Sequence, residues 1–157
     1  MHIVLVEPEI PANTGNVARL CAVTGIPLHL VRPLGFSVDD KHLKRAGLDY
    51  WDMLEIHYYD SIYEVLAKFP NCAKFFLTSK ASKSYTKAEY TEDSLLIFGK
   101  ETKGLPEEVR ERFPEDCVRI PMIPGARCLN LSNSVAVVTY EALRQLGKLD
   151  EADFDKF

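Results

Sequence analysis

No run of apolar residues in the 157-residue chain approaches the roughly 20 that a membrane-spanning helix requires. The first stretch, MHIVLVEPEIP, lacks the basic start and cleavage pattern of a secretory signal. It reads as a first strand, and the expected location is the cytoplasm. Cysteine is sparse, at Cys21, Cys72, Cys117 and Cys128, and no two of them form a CxxC pair. Reduced, buried thiols are therefore expected. His2, His29, His42 and His57 show no ligand spacing, so no metal dependence is expected. A GxGxxG turn after the first strand is missing, which argues against a standard dinucleotide site. Gly99 and Gly104 have P-loop spacing, but Leu105 and Pro106 follow where Lys and Ser or Thr should stand. The phosphate-gripping lysine is absent, which rules out an ordinary NTPase. There is also no internal repeat, linker or low-complexity segment.

What is present suits one soluble α/β domain with a single core. Net charge is −4, which by itself points away from nucleic acid. The charges are uneven, however. Lys41, Lys44 and Arg45 cluster, and KASKSYTK (80–87) holds Lys80, Lys83 and Lys87 without an acid. Acids collect at 107–116 and in a tail that reads as loose, 149–157.

Short apolar segments alternate with helical patterns. Strands are expected at 3–6, 27–33, 55–59, 73–79, 94–99 and 117–122. A helix starting near Asn13 or Thr14 ends at Gly25, with Val17, Leu20, Cys21 and Thr24 on one face. A short basic helix starts at Asp39 or Asp40 and stops near Gly47. Ser61 and Glu64 form a capping box for another, which Pro70 ends. Pro106 is expected at the first position of a short helix. A last helix, 131–146, is expected to take Ser132 as its cap and Gly147 as its stop. Its apolar face would comprise Val135, Ala136, Val138, Tyr140, Leu143 and Leu146. The alternation implies a mainly parallel sheet with helices on both faces. Such sheets bind ligands beyond the carboxyl ends of their strands, so the loops 7–16, 78–88, 99–105 and 121–130 are the ones to examine.

Three of those loops carry chemistry-bearing residues. PEIPANTGNVARL (8–20) offers Asn13, Asn16 and Arg19, whose guanidinium could bind a phosphate or orient a hydroxyl. GKETKGLPEE (99–108) places Glu101 inside a glycine-bounded loop, where Gly99 would let a ligand approach the backbone. IPMIPGARCLNLSN (120–133) crowds Cys128, Asn130, Ser132 and Asn133 around one helix start, more polar groups than a cap requires. Its backbone amides could hold an anion.

In order, PEIPANTGNVARLCAVTG, FGKETKGLP and IPM…RCLNLSNSVAVVTYEALRQLG resemble the three motifs of the SPOUT superfamily of RNA methyltransferases. The resemblance runs from residue 1 to about 148, a single methyltransferase domain. PLGFSVDDKHLKRAGLDYW (33–51) is similar to the smallest subfamily, the tRNA wobble-position cytidine/uridine 2′-O-methyltransferases.

The resemblance implies a deep C-terminal trefoil knot, which pattern rules would not propose. It implies methyl transfer from S-adenosylmethionine to a ribose 2′-hydroxyl of tRNA, by a homodimer joined through the first and last helices. Carried over by motif, Leu77, Gly99, Ile120 and Cys128 would contact the cofactor. Arg19 would hold the target phosphate and sugar, and Asn13, Asn130 and Glu101 would support that geometry. Tyr140, Lys41, Lys44, Arg45 and Arg127 would contact tRNA, with Arg32 and the 80–87 lysines in the same footprint. Cys128 stands where the family commonly has serine. Two other functions remain on this fold: ribose methylation of ribosomal RNA, and non-catalytic RNA binding.

Overall fold

The computed structural model describes residues 1–37 and 54–149. The expected helix at 39–47 and the body of the acidic tail lie outside the described residues. Six strands form one parallel sheet: β1 (His2–Val6), β2 (Leu28–Val31), β3 (Ile56–Tyr59), β4 (Lys74–Leu77), β5 (Leu95–Phe98) and β6 (Cys117–Val118). Their spatial order is β3-β2-β1-β5-β4-β6. Every pairing in the sheet is parallel.

Both faces of the central strands are buried, which explains their unbroken apolar runs. Ile3, Leu5, Leu28, Leu30, Leu96 and Phe98 pack on one face. There they meet α1 (Pro11–Thr24) and the last helix, α4 (Leu131–Gln145), through Val17, Cys21, Val135 and Val138. The alternate residues Val4, Val6, Leu95 and Ile97 pack on the other face. That face is covered by α2 (Ile62–Lys68) and α3 (Glu107–Arg112), through Ile62, Val65 and Val109. Helices on both faces are thus observed. The four cysteines are free thiols, but only Cys21 and Cys117 are buried; Cys128 is exposed.

Several boundaries differ from expectation for identifiable reasons. The strand expected at 117–122 stops at Val118 because Arg119 changes partner. Its amide donates to the Lys83 carbonyl (2.9 Å), and its carbonyl accepts from Tyr85 N (2.9 Å). Ile120 is thereby released from the sheet. Pro106 is the N-cap of α3 and not its first residue. Tyr140 is not on the apolar face of α4; it is 46% exposed, while Val135, Val138 and Leu143 are buried.

Near the amino ends of β1, β2 and β3, three imidazoles meet. His29 is 1% exposed. Its Nε2 lies 3.1 Å from His2 Nδ1, its Nδ1 lies 3.0 Å from the Tyr59 hydroxyl, and its ring stacks on His57 at 4.9 Å. Lys68 Nζ donates to the Tyr59 oxygen (3.3 Å), leaving the phenol proton to point at His29. Burial first, and then the charges of His2, His57 and Lys68, push the His29 pKa down to about 3. An unfolded chain protonates this histidine below about 6.5, whereas the folded chain keeps it neutral to about 3. Between those values the unfolded state holds more protons, so stability falls as pH drops. Urea melts at pH 7 and pH 5 should show this loss, and His29→Leu should shrink it. An equal loss in the variant would assign it to other groups.

Candidate functional site

At β1 and β5 the chain leaves neighbouring strands toward opposite faces, β1 into α1 and β5 into α3. Divergence of adjacent connections opens a crevice at the carboxyl ends of a parallel sheet. Here the two loops are sewn together. Lys100 Nζ donates to Glu7 Oε2 (2.6 Å). Glu7 itself has a left-handed φ of 51° and donates its amide to the Val31 carbonyl (2.9 Å). Thr102 donates both its amide (3.1 Å) and its hydroxyl (2.7 Å) to Glu9 Oε2. The Thr102 hydroxyl is the main reason the Glu9 carboxyl sits below its usual range.

Between these contacts lies Glu101. Its Oε2 accepts from Glu9 N (2.8 Å). Its Oε1 accepts from Ile10 N (3.2 Å) and from Asn13 Nδ2 (2.9 Å). This explains how α1 begins. The helix starts at Pro11, earlier than expected, with Ile10 as an N-cap that has no side-chain cap bond. Proline suits the first turn, where an N–H would be orphaned. The carboxylate of Glu101 satisfies amides at this end from elsewhere in the chain, and negative charge is favourable there. Asn13 is therefore not a cap and is free for another use.

That use is Asn130. A carboxylate only accepts, so Asn13 must turn its NH2 toward Glu101 and its Oδ1 away. Asn13 Oδ1 accepts from Asn130 Nδ2 (2.9 Å). Asn130 Oδ1 then accepts from Ser132 N (2.9 Å), Asn133 N (3.4 Å) and the Ser132 hydroxyl (2.7 Å). Asn130, and not Ser132, is the N-cap of α4. One directional line of hydrogen bonds thus runs from Glu101 through Asn13 and Asn130 into a helix start. Each member fixes the orientation of the next.

The line borders a cavity of about 730 Å³. Leu77, Gly99, Ile120 and Cys128, expected to contact a cofactor, all line it, as do Asn13, Glu101, Asn130 and Arg127. Gly99 is obligatory for a backbone reason. A Cβ there would lie 2.1 Å from Gly104 C and 2.1 Å from Leu105 N. The wall is cationic: Lys80, Lys100, Lys103, Arg110 and Arg127 face one acid, Glu101. Arg19 and Tyr140 are not in this wall. Arg19 belongs to an exposed stripe of α1 with Ala12, Asn16 and Val23, and Tyr140 to an exposed stripe of α4 with Asn133, Val137 and Arg144. Both stripes repeat at helical spacing. Lys41, Lys44 and Arg45 lie outside the described residues. Among the described residues, no group of three or more His, Cys, Asp or Glu could hold a metal ion, and no helix is long and apolar enough to cross a membrane.

Sequence reasoning missed Glu9, Thr102 and Arg110. Thr102 stands next to Glu101 in the glycine-bounded loop, so that loop was the available signal. Nothing local marks Glu9 or Arg110.

Comparison with known proteins shows what the chain as a whole resembles. The model of the SpoU rRNA Methylase family matches residues 1–140. A tRNA (cytidine(34)-2′-O)-methyltransferase from Methylovorus glucosotrophus is 52% identical over 144 residues, 91% of this chain and 94% of the relative. A structure described as giving insights into the 2-OH methylation of C/U34 on tRNA superposes with a TM-score of 0.88 at 46% identity. It covers 93% of this chain and 95% of its own. A SpoU methyltransferase of Streptomyces viridochromogenes, solved in complex with AdoMet, shares the fold with a TM-score of 0.82 at 23% identity. That match covers 93% of this chain and 57% of the other. With a family model spanning most of its length and a relative identical at half its positions, this chain belongs to the SpoU methylase family.

Proposed function

We propose that the protein transfers a methyl group from S-adenosylmethionine to the ribose 2′-hydroxyl of the first anticodon nucleotide, a cytidine or uridine, of tRNA. What carries this reading is the hydrogen-bonded line Glu101–Asn13–Asn130 at the cavity, in a chain half-identical to a tRNA (cytidine(34)-2′-O)-methyltransferase. The residues present fit the cofactor. The cavity is within the roughly 300–1,000 Å³ of small-molecule sites, and the half-buried Leu77 and Ile120 offer apolar surface for a base. When bound, S-adenosylmethionine supplies a methyl group on a positively charged sulfur, an electrophile that needs no metal to activate it.

The protein's part is placement and electrostatics. Leu77, Gly99, Ile120 and Cys128 hold the cofactor, largely through backbone groups. Asn13 and Asn130, oriented by Glu101, fix the wall against which the ribose is presented. Arg19 grips the target phosphate and sugar; its guanidinium stays protonated and is not the base. Because Arg19 lies on the exposed stripe of α1, it serves the site of a second subunit. The exposed Val23, Val137 and Tyr140 support a homodimer joined through α1 and α4. The knot and a cytoplasmic location belong to the same reading. Arg127 and Tyr140, with Lys41, Lys44 and Arg45, contact tRNA. Lys80, Lys83, Lys87 and Arg32 extend that footprint.

Cys128 replaces the usual serine. If the position works through its backbone, Cys128→Ser keeps transfer within a few-fold of the parent. A large loss in a single-turnover assay would assign a role to the side chain.

The deciding experiment supplies methyl-labelled cofactor with unmodified tRNA and, separately, with ribosomal RNA. Label in tRNA is expected. Label only in ribosomal RNA would move the assignment to a ribosomal enzyme, and tight cofactor binding without transfer to either would leave a non-catalytic RNA-binding protein.

A further inference from the structure

The cations of the cavity wall are not equivalent. Lys80, Lys103 and Arg127 are exposed, and Lys100 is committed to Glu7 at 2.6 Å. Arg110 differs from all of these. Its side chain is only 16% exposed, yet it lines the cavity. Its Nε donates to the Leu105 carbonyl (3.3 Å), which tethers the guanidinium to the stretch that packs against Gly99. Among the described residues, the carboxylate paired with it is Glu107, 3.6 Å from NH2 and itself 73% exposed, a loose surface pair. Glu101, the acid of the wall, has its oxygens taken by Glu9 N, Ile10 N and Asn13. A largely covered, pre-oriented guanidinium that lines a cavity and has only an exposed, loosely held glutamate beside it is suited to receive a second anion.

We propose that Arg110 binds the carboxylate at the amino-acid end of S-adenosylmethionine. This rests on the cavity being the cofactor site, as proposed above. The cofactor has one carboxylate, and a planar fork suits it better than the point charge of a lysine at the mouth. Arg110 is thereby an affinity and orientation residue. It sets where the amino-acid end lies and touches no reacting atom.

The test is calorimetric titration of the full chain with S-adenosylmethionine and with its decarboxylated analogue, which keeps the sulfonium and the amine. The parent should bind S-adenosylmethionine roughly 10- to 100-fold more tightly than the analogue, the range for a charge-assisted hydrogen bond. Arg110→Leu should erase that preference by weakening S-adenosylmethionine alone. Arg110→Lys, which keeps the charge and the stem, should retain part of it. Equal weakening of both ligands, or no weakening of either, would overturn the proposal while leaving the cavity as the cofactor site. A parent chain that binds neither ligand would instead overturn the cofactor reading.

Discussion

Replacing Glu101 by glutamine is expected to lower methyl transfer roughly 100-fold, the scale on which misplacement of a reacting group by about 1 Å is felt. The carboxylate accepts three hydrogen bonds, from Glu9 N, Ile10 N and Asn13 Nδ2. Glutamine has one acceptor oxygen and puts an NH2 where a second must be. Whichever way it turns, a donor faces a donor. If Oε1 is kept, Glu9 N is orphaned at the start of α1. If Oε2 is kept, Asn13 loses the partner that fixes its amide. Asn13 is then free to flip, and Asn130, which donates to Asn13 Oδ1, loses its reference in turn. The cost in stability should be about 1 kcal/mol, that of a hydrogen bond lost at a half-buried site. Single-turnover transfer measured beside thermal melting separates the two effects. Near-parental turnover in Glu101→Gln would mean that the line of hydrogen bonds is structural only.

The largest effect on stability is expected from Gly99→Ala. The added methyl would stand 2.1 Å from Gly104 C and Leu105 N, with the Gly104 oxygen at 2.5 Å. All three are backbone atoms, so no side chain can swing aside. The two ends of the 99–104 loop must separate, which also pulls on Lys100, Glu101 and Thr102 and their partners in the first loop. A loss above about 4 kcal/mol, the mark of an exceptional substitution, is expected. Gly104→Ala is the control. Gly104 has a φ of +69°, but nothing lies within 4 Å of its added Cβ. There the penalty is conformational and should be about 1 kcal/mol. Comparable destabilisation by the two variants, read from urea melts, would show that the loop ends do not pack as closely as described.

These two residues show what sequence reading could reach. The strand cores, the two faces of the sheet and the loops that form the site follow from apolar runs, helical spacing and the rule that ligands sit beyond strand ends. Glu101, Asn13 and Asn130 were identifiable as candidates from their motifs. Their connection was not, because Glu101 caps a helix 91 residues earlier in the chain. A search for a local cap finds Asn13 and Thr14 and stops there. The same limit explains Asn130. Ser132 is an acceptable cap by type, but Asn130 has a second hydrogen bond to Asn13 that places it, and Ser132 then donates its hydroxyl to Asn130. Helical spacing alone puts Tyr140 on the wrong side of α4 because an aromatic ring counts as apolar in the pattern, whereas the residue is 46% exposed. Arg110 was hidden for the opposite reason. In sequence it looks like one charge among many on an acidic helix, and only the fold turns it toward the cavity.

The most direct test of the central claim is chemical mapping of the product. Unmodified tRNA is incubated with the protein and S-adenosylmethionine, hydrolysed in alkali and sequenced by mass. A methyl group on a 2′-oxygen removes the internal nucleophile, so the bond after the first anticodon nucleotide should resist alkali while every other internucleotide bond is cut. A methylated base at that position, cleaved normally by alkali, or an unmodified tRNA, would contradict the account.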